Sequence, residues 1–141
     1  MTNNVLILIA RILLSFIFIL SGFGKLMDPG QTAGLISGAG LPAATALAYI
    51  AGLFEVVAGL AVLVGFQTKI AGFALAAFCV FTGAVFHSGT VAIEGWPAEA
   101  LGWINQLNQI MMMKNFTLAG AYILLAVAGP GAFSIDARRA G

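Results

Sequence analysis

Apolar runs close to the length of a membrane crossing recur along this chain, and they leave few alternatives for its fold. The hydrocarbon layer of a bilayer is about 30 Å thick and a helix rises about 1.5 Å per residue, so one crossing takes roughly 20 mostly apolar residues. Residues 5–26, 43–66 and 70–89 each meet that requirement, and residues 115–128 form a fourth run. Hydrophobic residues make up 61% of the chain and charged residues only 8%, which is too little polar surface to cover the core of a soluble domain. The expected fold is all-α: one polytopic membrane domain over residues 1–141, a bundle of four transmembrane helices.

The breaks between runs carry turn chemistry. Asp28-Pro29-Gly30 ends the first run, and Gly38, Gly40 and Pro42 precede the second. Gln67-Thr68-Lys69 leaves room only for a hairpin connection, and Gly129-Pro130-Gly131 stops the last run because proline cannot continue the helical ladder. Ahead of the fourth run, Leu101, Ile104, Leu107 and Met111 recur on one helical face, with Trp96 and Trp103 beside them. That pattern predicts an amphipathic lead-in at the membrane surface, where indole rings concentrate. Arg11 within the first run, and no small-x-small cleavage site ahead of its Gly22-Phe23-Gly24-Lys25 end, predict a retained helix and not a cleaved signal.

Several function classes drop out. A net charge of +1 with no Lys/Arg run gives no footprint for nucleic acid. The single cysteine, Cys79, supplies neither a disulfide nor a dithiol nor a metal site. One histidine cannot supply two axial haem ligands, and no dinucleotide fingerprint is present. No metal and no intrinsic cofactor is expected, so any redox work needs a borrowed one, for which a quinone is the candidate.

Charges inside a membrane are costly and mark function or internal pairing. Arg11, Ser15, Phe18, Gly22 and Lys25 fall at helical spacing on one face of the first run, and Gly52, Glu55 and Gly59 on one face of the second. Taking about 1.5 Å per residue, Arg11 lies roughly 9 Å and Glu55 roughly 15 Å from the ends of their runs on the same side. A long guanidinium bridges such a gap, which predicts an Arg11–Glu55 ion pair, read as structural. Lys25, His87 and Lys114 fall near the opposite ends of their spans, within reach of Asn108 and Asn115. Together they predict a basic, outward-facing pocket for an acidic or quinone-like ligand, with His87 able to exchange a proton near neutral pH. The competing reading is that interfacial lysines snorkel and that the histidine is a satisfied structural residue.

Placing both termini inside puts Arg11, Lys69, Arg138 and Arg139 on the cytoplasmic side against Lys25 and Lys114 outside, as the positive-inside rule prefers. The expected partners are the lipid bilayer, a second copy of the chain or a redox enzyme.

Taken in order, Arg11, Ser21-Gly22-Phe23-Gly24-Lys25-Leu26, Asp28-Pro29 and Leu41-Pro42 resemble the opening of the DoxX family. Glu55-Val56-Val57-Ala58-Gly59, Gly65-Phe66-Gln67-Thr68-Lys69, His87, Lys114-Asn115 and the run from Gly129 to Asp136 resemble its later segments. Ser88 stands where relatives often carry a second histidine, and the stretch 94–107 is longer than is typical of the family. The resemblance implies a four-helix protein of the bacterial inner membrane, linked by its family name to a quinol-dependent oxidase. It leaves three functions open: a quinone-linked or redox-stress protein with a ligand or partner site at the outer leaflet, a membrane scaffold without catalysis, and a small oligomeric transporter.

Overall fold

A computed structural model describes residues 2–140. Six helices follow in order: α1 (Thr2–Met27), α2 (Gly30–Gly38), α3 (Ala44–Val64), α4 (Thr68–Phe86), α5 (Ala98–Ala128) and α6 (Ile135–Ala140). Of these, α1, α3, α4 and α5 are long and apolar enough to cross a membrane. The burial pattern is inverted relative to a soluble protein. Leu13, Phe16, Ile70, Leu124 and Val127 are each about two-thirds exposed, whereas Arg11, Ser15, Glu55, Thr68 and Asn115 are buried. Lipid tails solvate the former and cannot hydrogen-bond the latter, so the polar groups turn inward.

The spans associate as two tight antiparallel pairs, α1 with α3 and α4 with α5, and α2 lies against α3. In lipid no hydrophobic force drives helix association, so close backbone approach at small residues does the work. A Cβ added at Gly22 would sit 2.6 Å from the Gly52 carbonyl oxygen, and one at Gly59 2.9 Å from Ile19. In the second pair Gly72 faces Ala126 and Tyr122, and Gly83 faces Asn115. Large rings then join the pairs near mid-bundle: Phe18 packs edge-on against Tyr122 and Phe78, at 5.5 and 6.2 Å between centroids. The buried Tyr122 hydroxyl donates to the Leu14 carbonyl at 2.7 Å, tying α5 to α1.

The two ends of the bundle differ. At the end carrying the termini, the buried Arg11 guanidinium donates to the carbonyls of Val62 (2.9 Å) and Leu63 (2.6 Å) at the close of α3. It also donates to the carbonyls of Pro130 and Phe133 in the segment after α5, both at 2.8 Å. The last carbonyls of a helix have no partner inside it and form its negative end, so a cation docks there without a carboxylate. The expected Arg11–Glu55 pair is not formed. Register explains why: Gly22 against Gly52 and Val56 sets α3 so that Val62, not Glu55, lies opposite Arg11. Seven residues, roughly 10 Å at 1.5 Å each, separate those two levels.

Asp136 completes this end by accepting the backbone N–H groups of Gln67 and Thr68, both at 2.8 Å, and so caps α4. Partial burial pushes the Asp136 carboxyl up, but these donors, with Arg139 nearby, outweigh it and hold the carboxyl below its ordinary value of 3.8. A lowered carboxylate contributes stability that is complete above its unfolded value and fades as pH falls through its native one. Amide exchange at Gln67 and Thr68 is therefore expected to stay slow from neutral pH down to about 4 and to accelerate only below it, with Asp136→Asn abolishing that dependence.

The expected lead-in and fourth span are one continuous helix. At 31 residues α5 is about 46 Å long, so its first turns, with exposed Trp103, extend beyond a ~30 Å hydrocarbon layer. The asparagines on this stretch act as clamps. Asn105 accepts from the N–H of Val91 (2.7 Å) and donates to its carbonyl (3.0 Å), holding the loop after α4 against α5.

Candidate functional site

Beyond the Phe18–Tyr122 contact, towards α2 and the α4–α5 loop, a cavity of about 940 Å³ lies between the two helix pairs. That volume falls at the upper end of small-molecule sites. The deeper wall is apolar, with Ile17, Phe18, Ala74, Ala77, Phe78 and Leu118. The wall towards the loops is polar, with Ser21, Lys25, Glu55, Thr82, His87, Lys114 and Asn115. Helix α2 closes one side with Gln31, Thr32, Leu35 and Ile36.

Four of the five residues expected to form the pocket, Lys25, His87, Lys114 and Asn115, line this one cavity. The fifth, Asn108, stands behind it. Its side-chain amide donates to the carbonyls of His87 (3.3 Å) and Gly89 (2.9 Å), and its oxygen lies 2.8 Å from His87 Nδ1. Because the two carbonyls fix which end of the amide is the donor, the oxygen faces the ring and Nδ1 carries the proton in neutral His87. Nε2 is then the lone-pair nitrogen of a side chain that lines the cavity. His87 also borders a smaller polar cleft of about 270 Å³ with Asn105 and Gln109.

Glu55 is the residue that sequence reasoning misassigned. It belongs to the cavity, where the buried carboxylate accepts from Lys25 Nζ at 2.9 Å. Lys25 Nζ donates as well to Ser21 Oγ at 2.6 Å, one helical turn back. The pocket is therefore not simply basic: one of its two lysines is neutralised in place. Ser21 was legible, four residues before Lys25 on the same face of α1. The contribution of α2 was not, because nothing in a nine-residue segment says which neighbour it folds against. Asn115 Nδ2 donates to Thr82 Oγ1 at 3.4 Å, beside the close approach at Gly83, so it pins α5 to α4 as well as lining the cavity. Lys114 Nζ has the Met111 thioether at 3.3 Å and, among the described residues, no carboxylate within ion-pair distance. No cluster of three or more His, Cys, Asp or Glu side chains suited to a metal ion is present among the described residues.

A model of the DoxX family matches residues 6–88, more than half of the chain. The chain belongs to the DoxX family. Two relatives of Escherichia coli K12, named inner membrane protein YqjF and inner membrane protein YphA, are each 37% identical over 134 residues. These matches cover 95% of this DoxX-family chain and 92% and 90% of the relatives. An uncharacterized membrane protein of Mycobacterium tuberculosis is 30% identical, over 91% of this chain and 77% of its own length. No solved structure gives a significant match. The DoxX match takes in α1 to α4, and with them Lys25, Glu55 and His87, while Lys114 and Asn115 on α5 lie beyond it.

Proposed function

We propose that this DoxX-family protein sits in the bacterial inner membrane with both termini cytoplasmic. There it binds a membrane-dissolved amphiphile with a quinone-like or acidic head, in the service of quinone-linked or redox-stress metabolism. The observation that carries the reading is the two-part cavity, apolar in its depth and polar towards the loops. An amphiphile places its apolar body against Phe18, Phe78 and Leu118 and its oxygens among the donors of Lys25, Lys114 and Asn115. Those donor types fit quinone carbonyls, and a quinone, when bound, supplies the electron-carrying chemistry that the chain lacks. The protein's own part is to desolvate the body, orient the head, and offer His87 Nε2 as an acceptor for a hydroxyl proton.

The other two readings gain less. A scaffold would use glycine-rich helix faces to associate with partners, but Gly22, Gly52, Gly59, Gly72 and Gly83 are engaged inside the bundle. A transporter would need the polar groups of the spans to line one path, and Arg11 lies outside the cavity that Glu55 and His87 line.

Thermal unfolding of the protein in an uncharged detergent, with and without a short-chain quinone, tests the proposal. A ligand at 100 times its Kd stabilises by about 2.7 kcal/mol, a rise of several degrees. Ala74→Trp, which fills the deep wall, is expected to abolish the rise while leaving the ligand-free protein folded. A full rise in that variant would place the binding elsewhere.

A further inference from the structure

We propose that the ligand's head carries a single negative charge and docks on Lys114, an inference that rests on the cavity being a ligand site. Three charged side chains line the cavity: Lys25, Glu55 and Lys114. Lys25 and Glu55 close on each other at 2.9 Å, and the remaining Lys25 contact is the Ser21 hydroxyl. Among the described residues Lys114 Nζ has only a thioether beside it, a weak acceptor that leaves most of the ammonium's hydrogen-bonding capacity unused. The wall thus presents one uncompensated positive charge next to an apolar chamber.

Position makes that charge consequential. The neighbouring Asn115 reaches Thr82, and Gly83 packs against Asn115, so Lys114 lies about one turn inside the end of α4. Its side chain is only partly exposed. A cation held at that depth without a counter-ion is costly, and an anion brought in by the ligand removes the cost. Lys25 attracts the anion less, since Glu55 already neutralises its charge at 2.9 Å and a second anion there would lie close to that carboxylate. The head is therefore a monoanion: two negative charges would leave one unmatched, and a neutral head, although its oxygens can accept from Lys114, leaves the charge uncompensated. A singly charged oxyanion on an apolar body has two sources, the carboxylate of an acyl or aryl acid and the hydroxyl of a quinol that has lost its proton to bulk water.

Dissociation constants for the full chain in an uncharged maltoside detergent decide the point. The probes are dodecanoate, its methyl ester, decylquinol and the O-methyl ether of that quinol. Dodecanoate is expected to bind at least tenfold more tightly than its ester, Lys114→Gln to erase that difference without weakening the ester, and Lys114→Arg to keep it. A matching preference for decylquinol over its ether, also lost in Lys114→Gln, assigns the quinol as a source; a preference confined to dodecanoate assigns the carboxylate. Equal binding of acid and ester by the wild-type protein overturns the proposal, and this comparison stands even if Lys114→Gln does not fold. An acid preference that survives in a folded Lys114→Gln overturns it too. Binding of none of the four probes removes the cavity reading itself, whereas binding of ester and ether as tight as that of acid and quinol leaves that reading intact and the charge assignment wrong.

Discussion

Replacing Arg11 with Met is expected to prevent the protein from being recovered folded. The substitution keeps an unbranched side chain in place but strips the donors from the carbonyls of Val62, Leu63, Pro130 and Phe133 at once. The Val62 carbonyl keeps a donor in the Gly65 N–H, and the other three acceptors are only part-buried, so at up to ~1–3 kcal/mol each the loss comes to several kcal/mol, a large share of the stability of a small domain, about 5–15 kcal/mol. Arg11→Lys is expected to rescue only in part, because an ammonium is a point donor and cannot span the end of α3 and the segment after α5 with a planar fork. Yield of monodisperse protein and the midpoint of unfolding in a denaturing detergent are the readouts. A double-mutant cycle with Glu55→Gln separates this picture from an Arg11–Glu55 pair. Arg11→Lys and Glu55→Gln should act additively to within ~0.5 kcal/mol, as independent sites do, whereas a coupling above 1 kcal/mol would restore the pair.

The second large effect is expected at Gly22. A Cβ there meets the Gly52 carbonyl oxygen at 2.6 Å and the Val56 nitrogen at 2.9 Å, which are main-chain atoms of α3 that cannot swing aside. Gly22→Ala is expected to cost about 1–3 kcal/mol, as overpacking does, and Gly22→Leu to separate α1 from α3 and unfold the bundle. Gly120 is the control, with nothing within 4 Å of its added Cβ. Gly120→Ala should be neutral or stabilising by up to ~1 kcal/mol through helix propensity alone. Because Lys25 lies one turn beyond Gly22, Gly22→Ala should also weaken the Lys25–Glu55 contact, and with it any ligand affinity, before it unfolds the protein.

The architecture was legible because one physical requirement, burial of backbone polar groups in lipid, acts on every residue of a crossing and so writes itself as length and composition. Residues 5–26, 43–66 and 70–89 overlie α1, α3 and α4 with ends displaced by up to three residues. The fourth run, 115–128, is the second part of the longer α5, whose mixed first turns leave the bilayer and lose the apolar signal. Helix faces were legible too: Arg11, Ser15, Phe18 and Gly22 are all buried, as their spacing implies. Pairing across helices was not. Counting from the ends of the apolar runs puts Arg11 and Glu55 within about 6 Å of one level, a gap that a guanidinium can bridge. The actual offset is set by the Gly22–Gly52 approach, a contact between two glycines that resemble the others in the sequence. Lys25, His87, Lys114 and Asn115 converge because span ends of one side share a level, which counting does capture.

The Arg11 junction also bears on how the protein is made. Two of its four acceptors belong to α3, but the others, Pro130 and Phe133, come 119 and 122 residues after it. Arg11 therefore enters the bilayer long before half of its partners exist, and a chain arrested after α4 carries a half-satisfied guanidinium in a nonpolar setting. Completion of the junction reports that α5 has been inserted and the segment beyond it brought back to α3. One side chain of the first span thus fastens both the end of α3 and the segment that follows the last span.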